Sequence, residues 1–119
     1  MNKEQTLALW AQGKDAWNAW AKEMLKRRAE MERDGTWIVT RGHLGAIEAG
    51  NQLTSEWMAA AEANFADFVF QWQGDFVKFC FPGLADFRQC TFKMQSNFRE
   101  AIFFGTADFE NVIFENDGV

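Results

Sequence analysis

The sequence predicts a mainly β protein in which a short solenoid of stacked coils follows an N-terminal helical segment. Three observations support this prediction. Twelve of the thirteen Phe residues lie between Phe65 and Phe109, the last is Phe114, and the chain contains no Tyr. Ten of these Phe residues recur at a regular interval, which indicates a repeated structural position rather than general hydrophobic filling. The first half of the chain instead spaces its apolar residues by three and four, as a helix does.

The Phe register alternates steps of five and six residues, so the chain is written in units of eleven. Each unit opens with a small residue followed by Asp or Asn and then the first Phe. Such a step fits neither a helix nor an ordinary strand. It predicts that the chain turns a corner after each Phe and returns the next one to the interior of a β-solenoid. The ten register residues are Phe65, Phe70, Phe76, Phe81, Phe87, Phe92, Phe98, Phe103, Phe109 and Phe114.

Units such as Ala85-Asp86-Phe87 resemble the pentapeptide-repeat family, whose pattern is Ala-(Asp/Asn)-(Leu/Phe)-x-x. The resemblance runs from Ala63 to Asp117 and is to the Phe-centred branch, in which five- and six-residue steps alternate. The Trp17-Asn18-Ala19-Trp20 stretch also resembles the Trp-Asn-x-Trp segment that often precedes such repeats. What the resemblance implies is a right-handed quadrilateral parallel β-helix of about two and a half coils at residues 63–119, behind a helical cap at residues 1–62.

The resemblance also implies that two units make one coil, so that Phe residues two units apart form interior ladders of stacked rings. The residue two positions before the second Phe of each unit should face inward beside the ring. Phe68 and Phe79 are large for that position, so we expect the first coil to widen there or to tip a ring outward. On the same reasoning Cys90 points inward and Cys80 points outward.

The first half is predicted to cover the first coil, because an uncovered coil would expose an apolar end and unpaired strand edges. Residues 3–33 are predicted to form one helix that stops at Asp34-Gly35. Residues 37–39 are predicted to form a short strand. A second helix is predicted at residues 54–63, with Thr54 or Ser55 as its N-cap.

The expected cap-packing residues are Trp10, Trp17 and Trp20. Of these, Trp17 and Trp20 are expected to pack near Phe65 and Phe70. A basic cluster on the first helix is interleaved with Glu residues at helical spacing, which predicts a solvated face with ion pairs rather than a membrane or nucleic-acid site. The basic residues are Lys22, Lys26, Arg27, Arg28 and Arg33.

Composition argues against several classes of function. A net charge of −5 and a pI near 4.8 do not favour sequence-independent nucleic-acid binding. Two cysteines are too few for a disulfide framework, and there is no signal segment or long apolar run. These features predict a cytoplasmic protein with reduced thiols, without direct contact to nucleic acid or membrane.

No residue pattern predicts catalysis, a metal site or a cofactor. His43 is the only histidine and lies in the short, ordinary segment Arg41–Gly45. No nucleophile, base and orienting group occur in a recognisable arrangement, and no ligand spacing suits a metal. The recurring Asp and Asn residues are interpreted as corner residues that bond the local backbone. We therefore expect a binding protein and not an enzyme.

The predicted function is a protein-interaction or scaffolding module whose partner protein the sequence does not name. Its expected surface consists of outward aromatic, Met and Arg side chains, the residue types that anchor interfaces. Self-association through the C-terminal end of the β-helix, as a homodimer, is a further expectation, because stacked rings at an open end favour association. The surface residues are Trp72, Arg88, Met94, Arg99 and Phe104.

The family resemblance supplies an alternative, a DNA-mimic protein that binds and protects a type II topoisomerase such as gyrase. Two and a half coils at ~4.8 Å per strand make only about 12 Å of rod. Duplex DNA carries one charge per ~1.7 Å, so this rod would match about seven phosphates. From Ala63 onward there are eight acidic and four basic residues, a net of −4 with mixed signs. This pattern favours the interaction module.

Overall fold

A computed structural model describes residues 1–115. Three helices and one β-hairpin precede a series of two-residue strands. The helices are α1 (Lys3–Ala11), α2 (Lys14–Asp34) and α3 (Gln52–Ala61), and the hairpin strands are β1 (Val39–Arg41) and β2 (Ile47–Ala49). The repeat strands are β3 (Ala63–Asn64), β4 (Val69–Phe70), β5 (Gly74–Asp75), β6 (Cys80–Phe81), β7 (Ala85–Asp86), β8 (Thr91–Phe92), β9 (Ser96–Asn97), β10 (Ile102–Phe103), β11 (Ala107–Asp108) and β12 (Ile113–Phe114).

The repeat strands pair in parallel, and each strand pairs with the one that lies two units further along the chain. In the first sheet Ala63 is opposite Ala85, and Ala85 is opposite Ala107. The four sheets run in the orders β3-β7-β11, β4-β8-β12, β5-β9 and β6-β10. A coil therefore contains two eleven-residue units, and the chain forms a β-helix of parallel strands in this region.

The Phe rings at the ends of these strands stack in ladders between coils. Ring centroids are 4.5–5.3 Å apart and ring planes agree within 9°. The rings of Phe65 to Phe92 in the register are buried, whereas Phe109 is 39% and Phe114 53% exposed. The burial of the register Phe rings therefore decreases toward the last described coil. The four ladders are Phe65–Phe87–Phe109, Phe70–Phe92–Phe114, Phe76–Phe98 and Phe81–Phe103.

One corner of each unit is a tight turn with a residue in the left-handed region. In the first unit Asp67 has φ 66°, and the Phe68 N–H donates to the Phe65 carbonyl at 3.0 Å. A positive φ at the third position of a turn is the type II geometry. The same geometry recurs once in every unit, at Asp67, Lys78, Gln89, Glu100 and Asn111.

The Asp or Asn at the second position of each unit bonds the local backbone. Its side-chain oxygen accepts the N–H two residues on, at 2.9–3.1 Å in all five units. This is the local bond by which Asx residues hold a turn. The five acceptors are Asn64, Asp75, Asp86, Asn97 and Asp108.

The predicted single helix at residues 3–33 is wrong, because the chain breaks into α1 and α2 at Gly13. Gly13 has φ 99°, a conformation that glycine adopts without steric cost. Asn2 starts α1 with a capping box shared with Gln5. The break lets the two helices lie on different strands of the first coil, α1 on β3 and α2 on β6.

The predicted bounds of the second helix and of the short strand are also wrong. Helix α3 begins at Gln52, and its cap is Asn51 rather than Thr54 or Ser55. The Asn51 side chain accepts the Thr54 N–H at 2.8 Å, while the buried Thr54 hydroxyl accepts the Ile38 N–H at 3.0 Å. The strand lies two residues later than predicted, at Val39–Arg41, and it pairs with a second strand that the sequence did not predict.

The large residues Phe68 and Phe79 pack against the helical cap. The Phe68 ring lies 6.3 Å from Trp10, and the Phe79 ring lies 5.6 Å from Trp17. The register mates of these two residues one coil further on are Cys90 and Ala101, both small. The departure from the repeat pattern therefore coincides with the coil that the helices touch.

Candidate interaction surface

The edge of β6 in the first coil is bonded by side chains of α2. The Asn18 Oδ1 accepts the Cys80 N–H at 2.8 Å, and the Asn18 Nδ2 donates to the Lys78 carbonyl at 3.0 Å. The Trp17 indole N–H donates to the Cys80 carbonyl at 2.8 Å. These side chains occupy the place of a strand from a preceding coil, so this edge is closed.

The edge of β3 is bonded by α1 in a similar way. The Thr6 hydroxyl is fully buried, accepts the Asn64 N–H at 3.0 Å and donates to the Asn2 carbonyl at 2.7 Å. Sequence reasoning missed both Thr6 and Asn18 as cap residues. An Asn between two Trp residues in a helix interior, where Asn is a poor helix former, was the available signal.

The three predicted cap-packing tryptophans lie at different depths. Trp10 contacts four rings of the first coil and covers Phe70 at 5.2 Å. Trp17 is fully buried and stacks on Phe65 at 5.7 Å. Trp20 is partly buried against the core cluster that contains Phe65 and Phe70, and its ring contacts Trp17 at 5.0 Å.

The predicted outward residues divide into an apolar group and a charged group. Trp72 is 80% exposed, and Met94, at the same corner of the next coil, is 49% exposed. We call this pair the Trp72–Met94 column. Phe104 is also exposed but lies at a different corner, beside Gly105. The structure thus brings Trp72 and Met94 together and leaves Phe104 apart from them.

Arg88 is held in a carboxylate cluster rather than free for a partner. Its guanidinium donates to both oxygens of Asp86, at 2.9 and 2.8 Å, and lies 3.9 Å from Asp108 of the next coil on the same sheet. These hydrogen bonds, and after them the charge of Arg88, lower the pKa of the Asp86 carboxyl, although burial opposes the shift. Arg99, at the corresponding position of the next unit, is exposed, and its backbone N–H donates to the Asn97 side chain.

Ion pairs also join successive coils on other faces. Lys78 lies 3.8 Å from Glu100, and Lys93 lies 3.6 Å from Glu115, so each pair links equivalent positions of neighbouring coils. Both pairs are solvent-exposed and contribute little stability. They do, however, pair acids with bases between successive coils along the outer surface.

An apolar groove of about 670 Å³ lies between the hairpin and the repeat. Trp57 and Trp37 contact each other at 5.2 Å at its base, and the Arg28 guanidinium lies 4.3 Å from the Trp37 ring. The opposite wall is the corner at Leu84 and Phe104. Sequence reasoning missed this groove, because it depends on where the hairpin folds back.

The two thiols differ in environment. Cys90 is fully buried, its Sγ lies 2.8 Å from the Phe65 carbonyl oxygen, and burial raises the pKa of its thiol to about 11. Cys80 is half-buried, and burial raises the pKa of its thiol as well. A raised thiol pKa lowers the fraction of reactive thiolate at neutral pH.

Other charged groups lie on helix α2 and on the hairpin. Arg27 and Arg28 of the basic cluster pair with Glu23 and Glu32, respectively, at helical spacing. His43 lies at the hairpin tip. Residues 1–115 contain no group of three or more His, Cys, Asp and Glu placed to hold a metal ion. In the same part of the chain, no helix is both long enough and apolar enough to cross a bilayer.

Comparison with protein families identifies the repeat. Residues 76–118 match a family model described as Pentapeptide repeats (9 copies). This segment of the chain therefore matches the pentapeptide-repeat family, and the resemblance seen in the sequence is confirmed there. Neither the curated proteins nor the solved structures gave a match. The likeness of the Trp-Asn-x-Trp segment to a family cap stays a prediction.

Proposed function

We propose that the protein is a non-enzymatic protein-interaction or scaffolding module. The observation that carries this proposal is the Trp72–Met94 column, in which two large apolar side chains stand exposed at one corner of successive coils. Trp and Met are enriched at protein interfaces. Their backbone lies on closely stacked coils, so a partner that binds here does not have to order the backbone.

We also propose that the four ladders close into a right-handed quadrilateral β-helix of about two and a half coils. The support is the two-unit register shared by all four sheets, together with rings from different sheets in contact at their centre. Residues 1–62 act as its cap and residues 63–119 as the solenoid, of which residues 116–119 lie outside the described part of the chain. An experimental structure with a left-handed path, or with ladders that do not share one core, would contradict this.

The interaction proposal is tested with the full chain immobilised as bait. We expect a partner protein to be retained by the wild type and by Phe104→Glu, but lost from a Trp72→Glu, Met94→Glu double variant. The Phe104 variant is the control for an added charge, because it places one glutamate at an exposed apolar position of a different corner. Equal retention by all three proteins, each checked for folding by circular dichroism, would reject the column as the interaction site.

Self-association through the C-terminal end of the β-helix is a second part of this proposal. It is supported by the exposure of Phe109 and Phe114, whose stacking partners Phe87 and Phe92 are fully buried. Light scattering over a dilution series should then give twice the mass of one chain, 13.7 kDa, with dissociation promoted by Phe114→Glu. A monomer at every concentration would end this part of the proposal and leave the column unaffected.

The DNA-mimic alternative, with a type II topoisomerase such as gyrase as partner, has less support. A mimic of duplex DNA needs a regular row of negative charge. Here Arg88, Lys78 and Lys93 each lie within 4 Å of an acidic side chain of the repeat. A gyrase-protection assay decides the point, since protection by the purified protein would favour the alternative over the general interaction role.

A further inference from the structure

The helical cap closes only two of the four strand edges of the first coil. The edge of β3 is bonded by Thr6, and the edge of β6 is bonded by Asn18 and Trp17. Pro82, which follows β6, has no N–H to offer. Donor groups along the edge of β6 are thus either bonded or missing, which is how native proteins prevent unwanted strand pairing.

The edge of β4 is open. The Thr91 N–H donates to the Phe68 carbonyl at 3.0 Å, and the Lys93 N–H donates to the Phe70 carbonyl at 3.1 Å. Because backbone groups alternate in direction along a strand, the amides of Val69 and Gln71 face away from β8. Within residues 1–115 neither N–H has a hydrogen-bond partner, and both residues are exposed.

Position 71 shows that this opening is not a general property of the repeat. Gln71 corresponds to Pro82, which holds the same position in the next unit. Gln71 keeps the N–H that Pro82 lacks, and the segment 69–73 contains no Lys or Pro, the residues that usually block an edge. The open edge also ends at Trp72, the most exposed aromatic side chain of residues 1–115.

The charged side chains of the open edge itself are acidic, and Lys93, which lies beside the edge in the next coil, is paired with Glu115. Asp67 and Asp75 flank the edge and are exposed, and residues 63–77 contain no Lys, Arg or His. The two exposed carboxylates favour a cationic partner at this edge, and the exposed face of the Trp72 indole also attracts cations.

We propose that the edge of β4 is the docking site for an extended basic segment of a partner protein. The segment pairs with the main-chain groups of Val69 and Gln71, as a strand added to a sheet edge does. Its Lys or Arg side chains lie beside Asp67 and Asp75 and over Trp72. This inference rests on the proposed interaction role and adds to it the chemistry of the partner.

The probe is the blocked peptide Lys-Val-Lys-Val-Lys, titrated into the full chain labelled with ¹⁵N. We expect amide shifts confined to residues 67–75, together with slower hydrogen exchange at Val69 and Gln71. Two matched peptides serve as controls, Glu-Val-Glu-Val-Glu for charge and an N-methylated copy of the basic peptide for main-chain pairing. Both should bind at least about tenfold more weakly.

Variants of the protein separate the edge from the Trp72–Met94 column. Gln71→Pro removes one backbone N–H from the edge. Proline already occupies the corresponding position of the next unit, as Pro82, so the backbone there should accept it. The variant should weaken peptide binding at least about tenfold. Trp72→Ser should also weaken binding. Met94→Ser, at the register mate of Trp72 one coil away from the edge, should leave binding unchanged.

The outcomes distinguish a failure of the edge proposal from a failure of the proposed interaction role. Amide shifts that persist in Met94→Ser but disappear in Gln71→Pro would support the edge as the peptide site. If Gln71→Pro does not fold, the N-methylated peptide on the wild-type protein gives the same decision. Equal binding of the acidic peptide, shifts outside residues 67–75, or no binding at all would overturn the edge proposal, while a partner protein still retained through Met94 would leave the interaction role standing.

Discussion

Phe70 and Phe92 form the closest ring stack of the repeat, with centroids 4.5 Å apart and parallel planes. Both rings are buried, and Phe92 in turn stacks on the exposed Phe114 at 5.3 Å. The same residue type in one ladder thus passes from full burial to a half-exposed end. This gradient allows the energy of the ladder to be measured position by position.

We predict that Phe92→Leu destabilises the fold by about 1–2 kcal/mol, because a smaller, non-planar side chain leaves a gap and loses two ring stacks. Phe114→Leu should cost less than about 1 kcal/mol, since its ring is already half-exposed. Urea denaturation followed by Trp fluorescence measures both changes. Equal losses at the two positions would mean that the ladder contributes no more at its centre than at its end.

A second prediction concerns Asn18 in the cap. Asn18→Ala should destabilise the protein by about 1–2 kcal/mol, because the Cys80 N–H and the Lys78 carbonyl both lose their partner. Asn18→Asp should recover only part of that loss, since a carboxylate accepts from Cys80 but cannot donate to Lys78. Lys22→Ala, at an exposed position of the same helix, is the matched control.

Hydrogen exchange at the Cys80 amide provides the site-specific measurement for this cap bond. The Cys80 amide should exchange markedly faster in Asn18→Ala than in the wild type. Its exchange rate should be unchanged in Lys22→Ala. An unchanged rate in Asn18→Ala would show that the amide is protected by burial under α2 and not by the side-chain bond.

A third prediction is a loss of stability at acidic pH through Asp86. Hydrogen bonds from Arg88 lower the pKa of Asp86 in the folded state below the ordinary value of 3.8. The ionised carboxylate therefore stabilises the fold above the unfolded pKa of about 4, and this contribution is lost as pH falls through the folded pKa. Asp86→Asn should cost about 1 kcal/mol at pH 7 and less at pH 2–3.

The matched control for this pH effect is Asp75→Asn. Asp75 holds the same position in its unit and accepts the Val77 N–H at 3.0 Å, but it is exposed and has no Arg partner among residues 1–115. Asn occurs at this position in two other units, so both variants should keep the turn. Urea midpoints that fall by equal amounts for both variants between pH 7 and pH 3 would refute the role of Arg88.

A fourth prediction concerns the two thiols. Burial raises the pKa of Cys90 to about 11, so almost no thiolate forms at pH 8 in the folded state. We expect iodoacetamide to label Cys80 slowly at pH 8 and to label Cys90 only when urea unfolds the chain. Mass spectrometry of the digested protein locates the label. Rapid labelling of Cys90 without denaturant would mean that the first coil opens readily.

The sequence predicted the repeat well because its register is one-dimensional. A Phe every five or six residues specifies which side chain turns inward, whatever the rest of the chain does. The pairing of strands two units apart, such as those of Ala63 and Ala85, follows from that period alone. The corner role of the Asp and Asn residues was likewise visible as local turn chemistry.

The helical half was harder to predict, because its contacts are long-range and do not repeat. Helical spacing continues across Gly13, so periodicity alone did not reveal that α1 and α2 diverge there to reach different strands. The second hairpin strand carries too weak a pattern to be recognised without its partner. The open edge of β4 could not be predicted either, since it depends on which strands the two helices cover.

The equivalence of positions two units apart has a consequence for changes in chain length. An insertion of two units between Ala85 and Ala107 would add one complete turn and return every later side chain to its present side of the rod. An insertion of a single unit between Met94 and Gly105 would instead rotate everything after it by half a turn, so that Gly105 would lie on the side of the rod that carries Met94. Both products would keep the cap, whose hydrogen bonds to the repeat all reach residues of the first coil. Only the full-turn insertion would preserve the arrangement of outward side chains. Insertions or deletions that keep this surface must therefore come in pairs of units.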